Sequence, residues 1–448
     1  MTAITNSPRI VQRPTALRST KNASRSKITG NPKLARLNQQ LRQPVQIKGR
    51  VLWDSPLASY YLLTAATVLL SVLGLVMVLS SSTVASITAQ KSPYSQFFTQ
   101  GTYALIGLGA LLVAAWLPIR FMKRLAWPAF ILAFALQVLT LPFSPVSLAK
   151  GGNYGWIYLP VIGRMQPAEF GKLALAVWLG YMLGKRQKEL GYWRAAFAPA
   201  LGAVLLIGLV MGGKDLGTGL VVMLLIFGAF FVAGTPSKLL GAIASGAVAV
   251  IGYFFIYRQA GGNRVARIFA AYDPNCDKAG VCFQALHGKY ALATGGIFGV
   301  GLGGSREKWN YLPEAHNDFI FAIIGEELGL LGTLMVLALF IALGLAMARI
   351  VVRHPDPFVK IATSAVATWV MGQALINIGV VIGVFPVIGL PLPLVSAGGS
   401  ALVTTMAALG MVINFARHEP GAQEALAARP SILKDTLTVV APRKRALA

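Results

Sequence analysis

The residue best suited to chemistry in this chain is Asp318, within Pro313-Glu-Ala-His-Asn-Asp318-Phe-Ile-Phe-Ala-Ile-Ile-Gly-Glu-Glu-Leu-Gly329. There a polar loop turns into an apolar run. The carboxylate is therefore expected at a membrane surface, partly desolvated, with His316 and Asn317 beside it. Desolvation raises a carboxylate's proton affinity and makes it a better base. The plainer role for the same residue is an N-cap, in which Asn or Asp satisfies free backbone N–H groups at a helix start. On a helix beginning at Asp318, residues Ala322, Gly325 and Gly329 share its azimuth. That small face leaves room for a ligand or a close helix. Glu327 falls nearly opposite, so Glu326 and Glu327 are expected as structural partners of buried polar groups.

Only 15 residues are acidic, so each can be weighed singly. Glu169, Asp215 and Glu314 also fall at or inside membrane boundaries, where ionisable groups are costly and functional by default. The polar segment from Arg258 to Asn317 is too polar to span a membrane and too long for a simple connector. It contains Gly295-Gly-Ile-Phe-Gly-Val-Gly-Leu-Gly-Gly304, a run able to pass close to a ligand or turn back into the membrane. No strand–turn–helix unit surrounds that run, so it is not a nucleotide fingerprint. Cys276 and Cys282 lie in the same segment. On an oxidising outer side they are expected to form a disulfide with a structural role. Neither has a His/Cys set suited to zinc.

The elements that must position these residues are membrane helices. Hydrophobic residues make up 55% of the chain and charged residues 12%, and mean hydropathy is +0.64. That composition specifies an all-α, polytopic integral membrane protein and excludes a soluble one. The net charge of +25 does not point to nucleic acid, because the basic residues flank apolar runs or sit in the tails. Ten apolar runs lie near 59–80, 97–117, 124–143, 167–184, 195–212, 217–234, 238–257, 318–347, 361–385 and 396–416. The first fifty residues hold no apolar h-region, so no signal peptide is expected. They carry eleven Lys and Arg and no acid. The segments Arg120–Arg124, Lys185–Arg194 and Arg349–Lys360 fall on the same side if ten spans alternate, and that side is the cytoplasm. Both tails are then cytoplasmic. The reading is a basic disordered tail at 1–54, which meets anionic membrane lipid, a ten-span domain at 55–418, and a cytoplasmic tail at 419–448. The 258–317 segment is a large extracytoplasmic loop before the eighth span.

The chain resembles the SEDS family (shape, elongation, division, sporulation), the polytopic peptidoglycan polymerases of FtsW and RodA type. The resemblance covers about residues 55–418. Leu312-Pro-Glu-Ala-His-Asn-Asp-Phe-Ile-Phe-Ala-Ile-Ile-Gly-Glu-Glu-Leu-Gly329 is close to the family's PEAHTDFIFAIIGEELG. Gly389-Leu-Pro-Leu-Pro-Leu-Val-Ser-Ala-Gly-Gly-Ser400 is similar to its GLPLPFVSYGGSS. Gln166-Pro-Ala-Glu-Phe-Gly-Lys172 resembles QPSEFAKL, and Asp215-Leu-Gly-Thr218 matches the end of PDLGT. The Ala-His pair in the first motif favours the division branch. The chain departs from the family at Gly155-Trp156, Lys214, Ile388 and Ala397, and none of these touches Asp318.

The resemblance implies a glycosyltransferase that polymerises lipid II, an undecaprenyl-pyrophosphate disaccharide-pentapeptide, on the outer leaflet of the bacterial cell membrane at the septum. The residues fit that chemistry. A sugar hydroxyl is a poor nucleophile until a base takes its proton, and Asp318 is the expected general base. A lipid pyrophosphate leaving group needs cationic stabilisation, for which the loop offers Arg258, Arg264, Arg267, Lys289, Arg306 and Lys308. The matching motifs add Glu314, His316, Asn317, Ser396 and Ser400 to the expected substrate-binding set. They put Glu169, Lys172 and Asp215 with Glu326 and Glu327 in structural roles. The residues single out no cofactor; a bound divalent cation, Mg²⁺ or Mn²⁺, could share the leaving-group task, though no acidic cluster demands it. Implied partners are a class B penicillin-binding protein and FtsQ-, FtsB- and FtsL-type division proteins. Two other classes fit some of the same residues. A lipid II flippase would use membrane-embedded charges and small helix faces equally well, though no inverted repeat is evident. A non-enzymatic division scaffold would leave a desolvated Asp318 unexplained.

Overall fold

The computed structural model describes residues 55–428, apart from 151–152, 161–162, 191–192, 257–275, 278–279, 281 and 310. The tails 1–54 and 429–448, and with them Arg258, Arg264 and Arg267, lie outside the described residues.

Helices α1 (Ala58–Thr88), α2 (Ser95–Trp116) and α3 (Ile119–Val138) come first. Strands β1 (Ser147–Lys150), β2 (Asn153–Leu159) and β3 (Gly163–Met165) follow. Then come α4 (Pro167–Lys185), α5 (Trp193–Gly212), α6 (Leu216–Val232), α7 (Ser237–Ile256) and α8 (Phe283–Gly295). The chain continues through α9 (Ile320–Arg353), α10 (Pro357–Val381), α11 (Gly399–Arg417) and the short α12 (Ala422–Ala427). Each of the ten apolar runs overlaps one helix among the described residues. Among the described residues, seven helices are long and apolar enough to cross a membrane. α6 is apolar but shorter, and α4 carries Glu169, Lys172 and Lys185.

Small residues bring these helices together. A Cβ on Gly180 would meet the Phe358 carbonyl of α10 at 3.1 Å, and one on Gly410 would collide with the α2 backbone at Leu111. Such contacts suit helices in lipid, where close approach and dispersion take over from the hydrophobic effect. Pro128 and Pro199 sit inside α3 and α5, as membrane helices tolerate when neighbours satisfy the freed backbone groups.

The basic clusters meet at one end of the bundle. Lys123 of α3 pairs with Asp356 at 2.6 Å. Arg349 donates to the Ser55 carbonyl at 2.6 Å, and Glu419 lies 3.9 Å from Arg349 and 3.8 Å from Arg353. Burial pushes the Glu419 carboxyl above its ordinary range, opposed by the two guanidiniums. Burial also pushes His354 below its ordinary value, opposed by Asp356.

Three sequence expectations need correction. The fold is not purely helical: β1, β2 and β3 form an antiparallel sheet with Leu148 opposite Trp156 and Tyr158 opposite Arg164. The segment Asn-Tyr-Gly-Trp-Ile-Tyr-Leu is rich in aromatic and β-branched residues that fit a pleated surface, and Ile157 is fully buried. Second, the helix expected from Asp318 begins at Ile320, with Phe319 at its N-cap position. Third, that helix is broken: Gly329 has φ 69°, ψ −164°, a conformation that favours glycine. Gly329 therefore does not continue a helical face below Asp318.

Candidate active site

At the end opposite the basic clusters, two sequence-distant motifs are knitted together. Asn377, near the end of α10, donates from Nδ2 to the backbone carbonyl of Asp318 at 2.7 Å and to that of Leu390 at 2.7 Å. The Ser396 hydroxyl donates to the Asn317 carbonyl at 2.6 Å and accepts from Leu392 N–H at 2.7 Å. Ala397 N–H donates to the His316 carbonyl at 2.9 Å. Gln100 of α2 closes the group, donating to the Ser396 carbonyl at 3.4 Å and accepting from Gly398 N–H at 3.2 Å. Buried backbone groups must be paired, and these side chains pair the groups of two non-helical segments.

Asp318 is half-buried and precedes the N-cap position of α9, which Phe319 holds. A Cβ on Gly389, whose φ is +80°, would sit 3.4 Å from Asp318 Oδ2. Glycine there supplies both the left-handed turn and the space beside the carboxylate. Glu314, at φ 55°, accepts from Asn317 Nδ2. Asn317 and Ser396, expected to touch substrate, thus take part in holding this backbone. Ser400 accepts from Gln166 N–H at 3.4 Å, beside a second polar group.

That second group lies where α4 and α6 begin. Asp215 caps α6, accepting from Thr218 N–H at 3.1 Å and from the Thr218 hydroxyl at 2.8 Å. Gln166 Nε2 donates to Asp215 at 2.8 Å. A Cβ on Gly155 of β2 would lie 3.1 Å from Asp215 Oδ2, so the sheet presses on this carboxylate. Deeper in, Lys172 is 1% exposed and bonds Glu169 at 2.8 Å and Gln373 at 3.0 Å. Its ammonium stands 4.8 Å from the Trp369 ring centroid, a favourable cation–π distance. Gln373 Nε2 donates to the Pro391 carbonyl at 2.8 Å. Trp369, Gln373 and Asn377 recur at helical spacing along one face of α10. The buried pair and Asp318 therefore hang from one helix face and one loop.

Glu326 and Glu327 are fully buried. Glu326 accepts from the Ser305 hydroxyl and from Arg306 N–H at 2.9 Å. Glu327 takes Lys308 Nζ at 3.0 Å and the Ser80 hydroxyl at 2.7 Å. Lys308, expected among cations for a pyrophosphate, has its charge engaged here instead. The small face above Gly329 is likewise occupied, since a Cβ on Gly325 would collide with Leu292 of α8. Of the two occupants expected there, it has the close helix. Lys289 and Arg306 are exposed. Cys276 and Cys282 are joined by a disulfide just before α8.

Sequence reading missed several residues that build this site. Gln100, Gln373 and Asn377 are amides inside apolar runs, and that rarity was the available signal. His287 Nδ1 lies 2.6 Å from Glu307 Oε2 and its ring stacks on Tyr311. Gln284 of the same helix donates to the Pro313 carbonyl at 3.0 Å. Nothing in their spacing announced that α8 would brace the segment leading to Asp318.

These features define a multi-pass helical membrane protein with its polar site at the end opposite its basic clusters. The sequence profile of the FtsW/RodA/SpoVE cell cycle proteins matches residues 60–420, and the chain belongs to that family. It is 40% identical over 374 residues to the probable peptidoglycan glycosyltransferase FtsW of Mycobacterium tuberculosis, covering 83% of this chain and 70% of that one. It is 34% identical over 359 residues to stage V sporulation protein E of Bacillus subtilis, covering 80% and 96%. A solved peptidoglycan synthase complex that coordinates polymerization and crosslinking contains a chain of similar fold. The TM-score is 0.64 at 26% identity, covering 80% of this chain and 97% of that one. The rod shape determining protein RodA of Thermus thermophilus matches with a TM-score of 0.58 at 26% identity, covering 80% and 97%.

Proposed function

We propose that the protein is the peptidoglycan glycosyltransferase of cell division, polymerising lipid II on the outer leaflet with Asp318 as general base. It is an enzyme of glycan synthesis, as its relatives' names state of them. The acceptor sugar hydroxyl attacks the anomeric carbon that bears the pyrophosphate. Asp318 takes the hydroxyl proton, the new glycosidic bond forms, and the bond to the lipid pyrophosphate breaks. The observation that carries this reading is Asp318 itself, half-buried, with its backbone carbonyl held by Asn377 at 2.7 Å and its carboxylate beside the Gly389 turn. Lys289 and Arg306 are exposed; they and the three arginines of 258–267 are proposed to meet the pyrophosphate. Among the described residues, no three His, Cys, Asp or Glu side chains gather into a metal-binding set, and no step here is routed through a metal.

The proposed topology has ten spans, with the basic end cytoplasmic and Asp318 outside; the grouping of Lys and Arg at one end supports that orientation. A class B penicillin-binding protein is the proposed partner, with FtsQ-, FtsB- and FtsL-type proteins at the septum; the likeness to a chain of a synthase complex supports the first. The test is lipid II polymerisation by purified, partner-bound Asp318→Asn. Loss of polymer with intact partner binding is expected. Polymer at wild-type rate would move the base elsewhere and favour the flippase reading.

A further inference from the structure

We infer that the glycine segment Gly296–Gly304 is a membrane-inserted lip, with its apolar side chains standing among the acyl chains at the rim of one leaflet. This rests on the membrane-spanning reading of the chain and not on its chemistry. The first observation concerns the backbone. Val300 N–H donates to the Glu326 carbonyl at 2.9 Å and Gly301 N–H to that of Glu327 at 3.0 Å. In return, Leu330 N–H donates to the Gly296 carbonyl at 2.9 Å and Leu331 N–H to that of Ile297 at 3.3 Å. Four backbone hydrogen bonds thus join the lip to the two sides of the α9 break. Backbone paired in this way does not need water, which is the condition for non-helical chain at membrane depth. Glycine is required at the contact, since a Cβ on Gly295 or Gly299 would collide with the α9 backbone.

The second observation concerns the side chains. Phe298 is 78% exposed and Leu302 61% exposed, with Ile297 and Val300 exposed beside them. No charged residue occurs between Gly295 and Gly304. Leu330, Leu331 and Leu334 of α9, bonded to or following the lip, are exposed as well, so the apolar surface runs from the lip onto a spanning helix without a polar break. A patch of this kind marks an interaction surface, and its continuity with a lipid-facing helix identifies lipid as the occupant. Depth agrees: Leu330 to Arg353 is about 24 residues, or roughly 36 Å at about 1.5 Å per residue, so the break falls near the edge of a hydrocarbon core roughly 30 Å thick. Exposed Trp309 and Tyr311 follow the lip, as residues favoured at the membrane–water interface do.

The test uses the full chain in phospholipid nanodiscs, with Cys276 and Cys282 replaced by Ser and one cysteine carrying an environment-sensitive fluorophore. Phe298→Cys reports the lip, Leu105→Cys on α2 the lipid face, and Lys91→Cys, between α1 and α2, water. Leu302→Cys repeats the lip measurement should the Phe298 variant fail to insert. Quenching by spin-labelled phospholipid several-fold stronger than at Lys91, with little quenching by aqueous iodide, is expected for the lip. Iodide quenching equal to that at Lys91 would overturn the inference. Shielding from both quenchers would also overturn it, by showing a protein contact or a second copy in place of lipid. Neither result bears on Asp318, whose role is read by polymerisation.

Discussion

Replacing Lys308 by Met tests whether the buried acids beneath the glycine segment hold it in place. Lys308 is 7% exposed and Glu327 fully buried, and their charged atoms are 3.0 Å apart. The methionine fills most of the space but leaves Glu327 with only the Ser80 hydroxyl and a long contact to Ser305 N–H. Breaking one partner of a buried ion pair commonly costs about 3–5 kcal/mol, because the other charge stays buried and uncompensated. The Ser80 hydroxyl, by bonding the remaining carboxylate, brings the expectation to the lower part of that range. Lys308→Met combined with Glu327→Gln removes both charges and should recover more than half of the loss. The assay is SDS-induced unfolding in mixed micelles, run as a double-mutant cycle. A single variant within about 1 kcal/mol of wild type, well below the cost expected of a broken buried pair, would refute the assignment of Lys308 as a buried partner. So would an additive cycle.

Three further outcomes follow from the geometry. Asn377→Ala removes both hydrogen bonds that tie Asp318 to the Gly389 turn. It should lower kcat at least ten-fold with little change in KM, and an unchanged kcat would show that the tie is not needed for turnover. His354 has its folded value lowered by burial, so its contribution to stability is present above pH 6.5 and lost as pH falls toward the folded value; the raised value of Glu419 acts in the opposite sense at lower pH. The wild-type Tm should therefore fall between pH 7.5 and 5.5, and less so in His354→Gln, with equal slopes as the contrary result. Single cysteines at Ser7 and Arg306, in a background without the native pair, should react with an impermeant thiol reagent in intact cells at Arg306 only; labelling at Ser7 would reverse the proposed orientation. Ser305 is 1% exposed and unsuitable for that purpose.

Much of the helical frame was legible because lipid imposes a simple rule. Each span must be apolar and satisfy its own backbone, so runs of apolar residues mark helices directly. Asp318 was legible for the complementary reason, since a carboxylate at such a boundary is costly to keep. The break at Gly329 was not, because glycine is also common in unbroken membrane helices; only the docking of Gly296–Gly304 against the Glu326 and Glu327 carbonyls distinguishes it. The role of Lys308 was hidden by its position in a polar loop, where solvation is the default. Its partner Ser80 is 228 residues away in sequence. The small sheet escaped notice because its three short strands lie between apolar runs and bury few side chains. The pairing of Asn317 with Ser396 and of Asp318 with Asn377 is long-range and backbone-directed, which residue type alone does not encode.

In the proposed reaction Asp318 accepts a proton during glycan polymerisation. Asparagine at 318 keeps the size, the backbone ties to Asn377 and the Gly389 turn, but cannot take the proton. Asparagine caps a helix about as well as aspartate, so Asp318→Asn should leave the start of α9 folded. Removing a positioned base commonly costs about 10²–10⁴-fold. Lipid II polymerisation by purified, partner-bound Asp318→Asn, compared with wild type at equal membrane insertion, is the direct measurement. A loss of at least about a hundred-fold with partner binding intact is expected. Polymerisation within a few-fold of wild type would contradict it.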